Sequence, residues 1–197
     1  MIPDRQASAI SLFVVAAHPN NWERCFSFNE YLVLFESRTM IDTISNTVTL
    51  RFLAEPSDVN FGGKVHGGAV MKWIDQAGYA CAANWSGQYC VTVYVGGIRF
   101  IRPIQIGDMV EINATVIYTG NTSMHIAINV SAGNPRQRER VKTTHCVMVF
   151  AAVDDHGKTV PVPKWHPETP AALEMEAYAK KLMGLRMNIE EEMKPYL

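Results

Sequence analysis

Between His66 and Asn84 the chain has no proline and sets Val70, Ile74, Gly78 and Cys81 along one helical face. One long apolar helix is therefore expected here. Asp75 falls beside Met71 and Ala82 at the border of that face, so it is not simply a solvated carboxylate. Before the helix, Thr47–Leu53 alternates polar and apolar residues with period two; after it, Cys90–Arg102, Met109–Tyr118, Ser123–Ala132 and Val141–Val153 do the same. Turn residues separate these stretches: Pro103 with Gly107-Asp108, Gly120-Asn121, and Gly133-Asn134-Pro135. A strand, a helix and four strands joined by short turns cannot build a parallel βαβ sheet. The packing left is an α+β fold, with the helix laid across one face of a curved antiparallel sheet whose last strands form consecutive hairpins.

A second helix is expected over Ala171–Met187, starting at Thr169-Pro170 and presenting Leu173, Ala177, Lys180 or Lys181, and Gly184 at helical spacing. The chain thus divides into an N-terminal extension (1–39), a central domain (40–166) and a C-terminal helical tail (167–197). The extension has two apolar patches and no readable pattern. Met40 is the expected natural start, which mass spectrometry of the endogenous N-terminus would check.

Eighteen Lys and Arg against 19 Asp and Glu give a net charge of -1. That excludes the basic field on which phosphate-backbone binding depends, so nucleic acid is not an expected partner. The charged fraction of 19% lies below the soluble average of about 25%, which points to surface covered by another subunit or a ligand, and a homo-oligomer is expected. Cys25, Cys81, Cys90 and Cys146 have no CxxC spacing and read as free, buried thiols. The apolar run Ala9–Ala17 is far shorter than the roughly 20 residues of a membrane span, and Met1–Ser8 before it has no net positive charge, so no secretion signal is read and a cytoplasmic location is expected. No GxSxG, HExxH or strand-following GxGxxG occurs, and Gly157-Lys158-Thr159 reads as a hairpin turn because Val160-Pro-Val-Pro163 cannot start a helix.

The segment Asp58-Val-Asn60-Phe-Gly-Gly-Lys-Val-His66-Gly-Gly-Ala-Val-Met-Lys-Trp-Ile-Asp75-Gln-Ala-Gly78 remains. It resembles the active-site segment of hotdog-fold acyl-CoA thioesterases, in the branch of the cytosolic acyl-CoA hydrolases and their bacterial relatives. The similarity continues through Gly97-Ile-Arg-Phe-Ile-Arg-Pro103, Ile106-Gly-Asp108, Gly120-Asn-Thr-Ser123 and Phe150-Ala-Ala-Val-Asp154, over roughly residues 46 to 165. The resemblance implies a hotdog fold, hydrolysis of acyl-CoA to free acid and CoA without metal or redox cofactor, and a site between two protomers of a dimer or trimer of dimers. It also implies that Asp75 serves as general base, or as a nucleophile, and that Asn60 helps place water and the carbonyl. His66 is assigned to positioning.

Elementary chemistry agrees at the helix start. Gly67 and Gly68 leave backbone N–H groups uncovered where the helix dipole adds positive charge, which suits a thioester oxygen becoming an oxyanion. By the same resemblance Thr122 and Ser123 approach the pantetheine and phosphates of CoA, while Arg138 and Lys142, in a run with Arg136 and Arg140, suit the 3′-phosphate. Two alternatives stay open. A hotdog hydratase or dehydratase would use His66 with a carboxylate, and a non-catalytic acyl-CoA-binding module would bind without turnover.

Overall fold

A computed structural model describes residues 44–196. The expected N-terminal extension lies outside these residues. Five strands, β1 (Thr47–Leu53), β2 (Tyr89–Phe100), β3 (Met109–Thr119), β4 (Ser123–Gly133) and β5 (Val141–Val153), form one sheet in the order β1-β3-β4-β5-β2, every pair antiparallel. The helix α1 (Gly67–Ser86) touches all five strands, and α2 (Pro170–Met193) follows the sheet. The α+β architecture expected from the pattern is present.

The strand order departs from consecutive hairpins in one respect. The β3–β4 and β4–β5 connections are hairpins, but β2 lies next to β5 and leaves the opposite edge to β1. Thr92, facing α1, pairs with Phe150 of β5, so β2 uses its inner face to cover the helix end and closes the far side of the sheet.

The α1 face seen in the sequence is the buried one: Val70, Ile74 and Cys81 are inaccessible, joined by Trp73, Ala77, Ala82 and Trp85. They meet Val110, Ile112, Ile126, Ile128, Met148 and Phe150 from the sheet. Each large side chain withdrawn from water contributes about 1.5–3 kcal/mol, which makes this contact the main source of stability. Gly78 marks the closest approach. A Cβ there would stand 2.7 Å from Phe150 Cε2 and 3.0 Å from Ile128 Cδ1. Gly87, at φ 67°, ends α1 in the left-handed conformation that glycine adopts without strain.

Three cysteines are buried as expected, and burial pushes the Cys81 thiol up to about 11 and Cys146 up to about 12, so neither is a thiolate nucleophile near neutrality. Cys25 lies outside the described residues. Gly157-Lys158-Thr159 is a turn: Asp154 Oδ1 accepts from the N–H groups of His156 and Lys158, each at 2.9 Å.

Helix α2 begins as expected, with Thr169 Oγ1 accepting from Ala172 N at 3.2 Å, but it runs to Met193 rather than Met187. Its docked face is also different. Met175, Tyr178, Ala179 and Leu182 pack on Ile117, Ala127 and Val147 of the outer sheet face, whereas Leu173, Ala177, Lys180, Lys181 and Gly184 are exposed. The sheet's outer face has apolar residues along a diagonal, and the helix turns the stripe matching it inward. His125 is buried beneath α2 with its ring against Tyr118, and burial, aided by the Arg186 charge, holds the imidazole down at about 4.

Two outcomes follow from this packing. Gly78→Ala overfills the α1–sheet contact and is expected to cost about 1–3 kcal/mol, read as a lowered urea midpoint at unchanged m-value. For His125, the folded form binds its proton more weakly than the unfolded chain, so its contribution is fully present above about pH 6.5 and is lost as pH falls toward about 4. Urea melts at about pH 7 and about pH 5 should show a loss of stability that His125→Gln reduces; equal slopes in the two proteins would reject the assignment.

Candidate active site

The loop before α1 is held by one side chain. Asn60 Oδ1 accepts from Gly62 N at 2.8 Å and Lys64 N at 3.2 Å, and its Nδ2 donates to Val65 O at 3.4 Å. Its backbone N–H donates to Lys64 O at 2.7 Å. Asn60 thus closes the Phe61–Lys64 turn, and its amide keeps one further N–H for another acceptor.

His66 is the N-cap of α1, its Nδ1 accepting from Gly68 N at 2.8 Å. The Gly68 N–H is therefore already committed, and a Cβ at 68 would lie 3.0 Å from the His66 ring. Gly67 is different. Its N–H has no partner among the described residues, and a Cβ there would meet only Phe100, at 3.7 Å. Of the two expected oxyanion donors, the structure leaves Gly67 open and gives Gly68 to the histidine cap. Gly67 lines a cleft of about 330 Å³ with Val65, Val70, Phe100, Arg102 and Thr144.

Asp75 lies elsewhere. It is exposed in the protomer, and Thr92 Oγ1 on β2 donates to its Oδ1 at 2.7 Å. Eight residues of helix separate Asp75 from Gly67, about 12 Å along the axis, so the two cannot act on one carbonyl within a single protomer. Thr92 went unrecognised in the sequence, because only the β2–α1 packing sets it beside Asp75.

The four expected CoA contacts are not brought together either. Thr122 precedes β4 and Ser123 opens it, whereas Arg138 lies in the β4–β5 connection and Lys142 near the start of β5. Eleven strand residues hold these pairs about 30 Å apart. Thr122 O accepts from Ala152 N at 3.0 Å, on the Asp75–Thr92 side of the sheet, where Thr92 pairs with Phe150 and Phe150 with Met124. Arg138 and Lys142 are exposed on the Gly67 side, next to Thr143, whose carbonyl accepts from the N–H groups of Ile101 and Arg102. Arg140 of the same run is engaged with Glu111 at 3.1 Å; the Arg51 hydrogen bond at 2.5 Å, with the Arg140 charge adding to it, holds the Glu111 carboxyl below its usual range. Each protomer thus carries two half-sites, one with Asn60, His66 and Gly67 and the other with Asp75 and Thr92.

Known proteins show the family to which this fold belongs. The Thioesterase superfamily pattern matches residues 62–139. Protein VdlD of Helicobacter pylori is 31% identical over 147 residues, 74% of this chain and 84% of that protein. The acyl-CoA thioester hydrolase YciA of Salmonella typhimurium is 35% identical over 128 residues, 64% of this chain and 96% of that enzyme. Among solved structures, a hexameric acyl-CoA thioesterase in its apo form superposes with a TM-score of 0.71 at 28% identity, over 74% of this chain and 93% of that one. With a five-stranded antiparallel sheet around one long helix, a glycine-rich helix start and these relatives, the chain belongs to the hotdog-fold acyl-CoA thioester hydrolases of the thioesterase superfamily.

Proposed function

We propose that the protein hydrolyses acyl-CoA at two composite sites, each made from the Gly67 half-site of one protomer and the Asp75 half-site of a second. The observation that carries this reading is the separation of Gly67 from Asp75 by about 12 Å on one rigid helix. Both half-sites border β2, an edge strand with Tyr89, Val91, Val93 and Val95 exposed. An apolar edge with no neighbour among the described residues favours strand addition, and antiparallel pairing of two β2 edges about the middle of the strand sets Thr92 of one protomer opposite the partner's Gly97, three residues from the partner's Phe100. Asp75 then reaches the cleft lined by the partner's Gly67.

Gly67 N–H, at the positive end of α1, donates to the thioester oxygen and stabilises it more strongly as negative charge develops. Asp75 takes a proton from water, whose oxygen attacks the carbonyl carbon; collapse breaks the C–S bond and leaves the free acid, and the proton held by Asp75 passes to the departing thiolate, giving CoA thiol and restoring the carboxylate. Thr92 fixes the carboxylate by donating to Oδ1, which leaves Oδ2 free for water. Asn60 shapes the loop, and its remaining amide N–H is the group it offers to water or the carbonyl. The reaction changes no oxidation state and so needs no redox cofactor, and in this reading the Asp75 carboxylate activates water without a metal. CoA spans the joint, with Arg138 and Lys142 beside the Gly67 half-site and Thr122 and Ser123 beside the Asp75 half-site that the partner supplies. This composite site also favours hydrolysis over the hydratase reading, because His66 Nδ1 is spent on the helix cap.

Asp75→Asn is expected to lower release of CoA thiol from a panel of acyl-CoAs by about 10²-fold or more, with folding unchanged. Undiminished turnover would reject the base. Mixing Asp75→Asn chains with chains carrying Gly67→Pro, which removes the open N–H, should recover about a quarter of native activity through mixed dimers. No recovery after verified subunit exchange would place the whole site in one protomer.

A further inference from the structure

Helix α2 does not end where its sheet ends. Its inward stripe, Met175, Tyr178 and Leu182, repeats at helical spacing as Leu185, Ile189 and Met193, so the face turned to the sheet stays apolar for about three further turns. The contacts change along the way. Tyr178 Oη lies 3.3 Å from His145 Nε2 on β5, Ala179 is wholly buried over β3, β4 and β5, and the Arg186 guanidinium stacks 4.6 Å from the Tyr94 ring on the edge strand β2. From Met187 to Tyr196 every residue is exposed, including Met187 at 68%, Ile189 at 50% and Met193 at 48%. Seven residues beyond Arg186 carry the helix about 10 Å past its contact with the last strand.

We infer that this overhanging end of α2 is a clamp that docks on the outer sheet face of a second copy of the same chain. The inference rests on the β2–β2 pairing proposed above. If the helix face that covers a sheet stays apolar after the sheet stops, the surface to complete it must continue that sheet, and a partner paired along β2 does so. Charge agrees. Glu192 flanks the stripe, and Arg99 stands exposed on the outer face of β2, opposite His145 in register; neither has an ion-pair partner among the described residues. Antiparallel pairing about the middle of β2 brings the partner's Arg99 toward the overhang. Tyr94 anchors the crossing, held between the Gly96 backbone and Arg186.

Ile189→Glu combined with Met193→Glu tests the clamp, since both positions are exposed in the protomer and the variant should fold as the native chain does by circular dichroism. Sedimentation across a dilution series should show the dimer dissociating at a concentration at least about tenfold higher, with CoA-thiol release per dimer unchanged when the protein is concentrated enough to assemble. A photo-crosslinker at position 189, in a mixture of isotopically light and heavy chains, should give light–heavy crosslinks to peptides of β2 or α2. A native-like dissociation constant in the Glu variant, or crosslinks confined to one chain, would overturn the clamp while leaving the β2 pairing. A native protein that is monomeric at every concentration would overturn both.

Discussion

The contact between one face of α1 and the inner face of the sheet sets the position of every other element. Gly78 lets the helix settle against Phe150 and Ile128, and that depth fixes how far the sheet must curve to reach Val70 at one end and Trp85 at the other. Five strands touch one helix because its apolar face is wide, with Trp73 and Trp85 extending it beyond a narrow stripe. The polar chemistry is therefore confined to the helix margins. Gly67 sits at the N-terminus and Asp75 on the flank toward β2, both exposed in the protomer.

A rigid helix both creates and limits the site. It supplies an unpaired N–H and a carboxylate, but holds them about 12 Å apart, farther than one reacting carbonyl can bridge. The proposed pairing of two chains resolves this geometry. The same edge strand, which lacks a second neighbour among the described residues, carries Thr92, which orients Asp75, and Phe100, which lines the cleft beside Gly67. In the proposed dimer, catalysis and association share β2, and the apolar continuation of α2 past Tyr94 meets that same edge.

The histidine cap shows how local backbone needs compete with chemistry. His66 satisfies Gly68 N–H through Nδ1, stabilising the helix start and fixing which amide remains for substrate. Asn60 does the same for the preceding loop with its carbonyl oxygen. Both residues build the frame that presents Gly67, and only the spare N–H of Asn60 is left for direct contact.

Sequence periodicity by itself determined the central helix, the five strands and the turn at Gly157, because these depend on local spacing and backbone permissiveness; Asn60, His66, Gly67 and Asp75 were singled out by the resemblance of their segment to a known motif. Similarity to known motifs supplied the hydrolase reading, which the relatives bear out. Only the tertiary structure decided that β2 lies beside β5, that Thr92 meets Asp75, and that Thr122 and Arg138 stand at opposite ends of β4. It likewise turned Met175, Tyr178 and Leu182 of α2 toward the sheet in place of Leu173 and Ala177. These are pairings between residues distant in sequence, set by which surfaces bury the most apolar area together, and no local period records them.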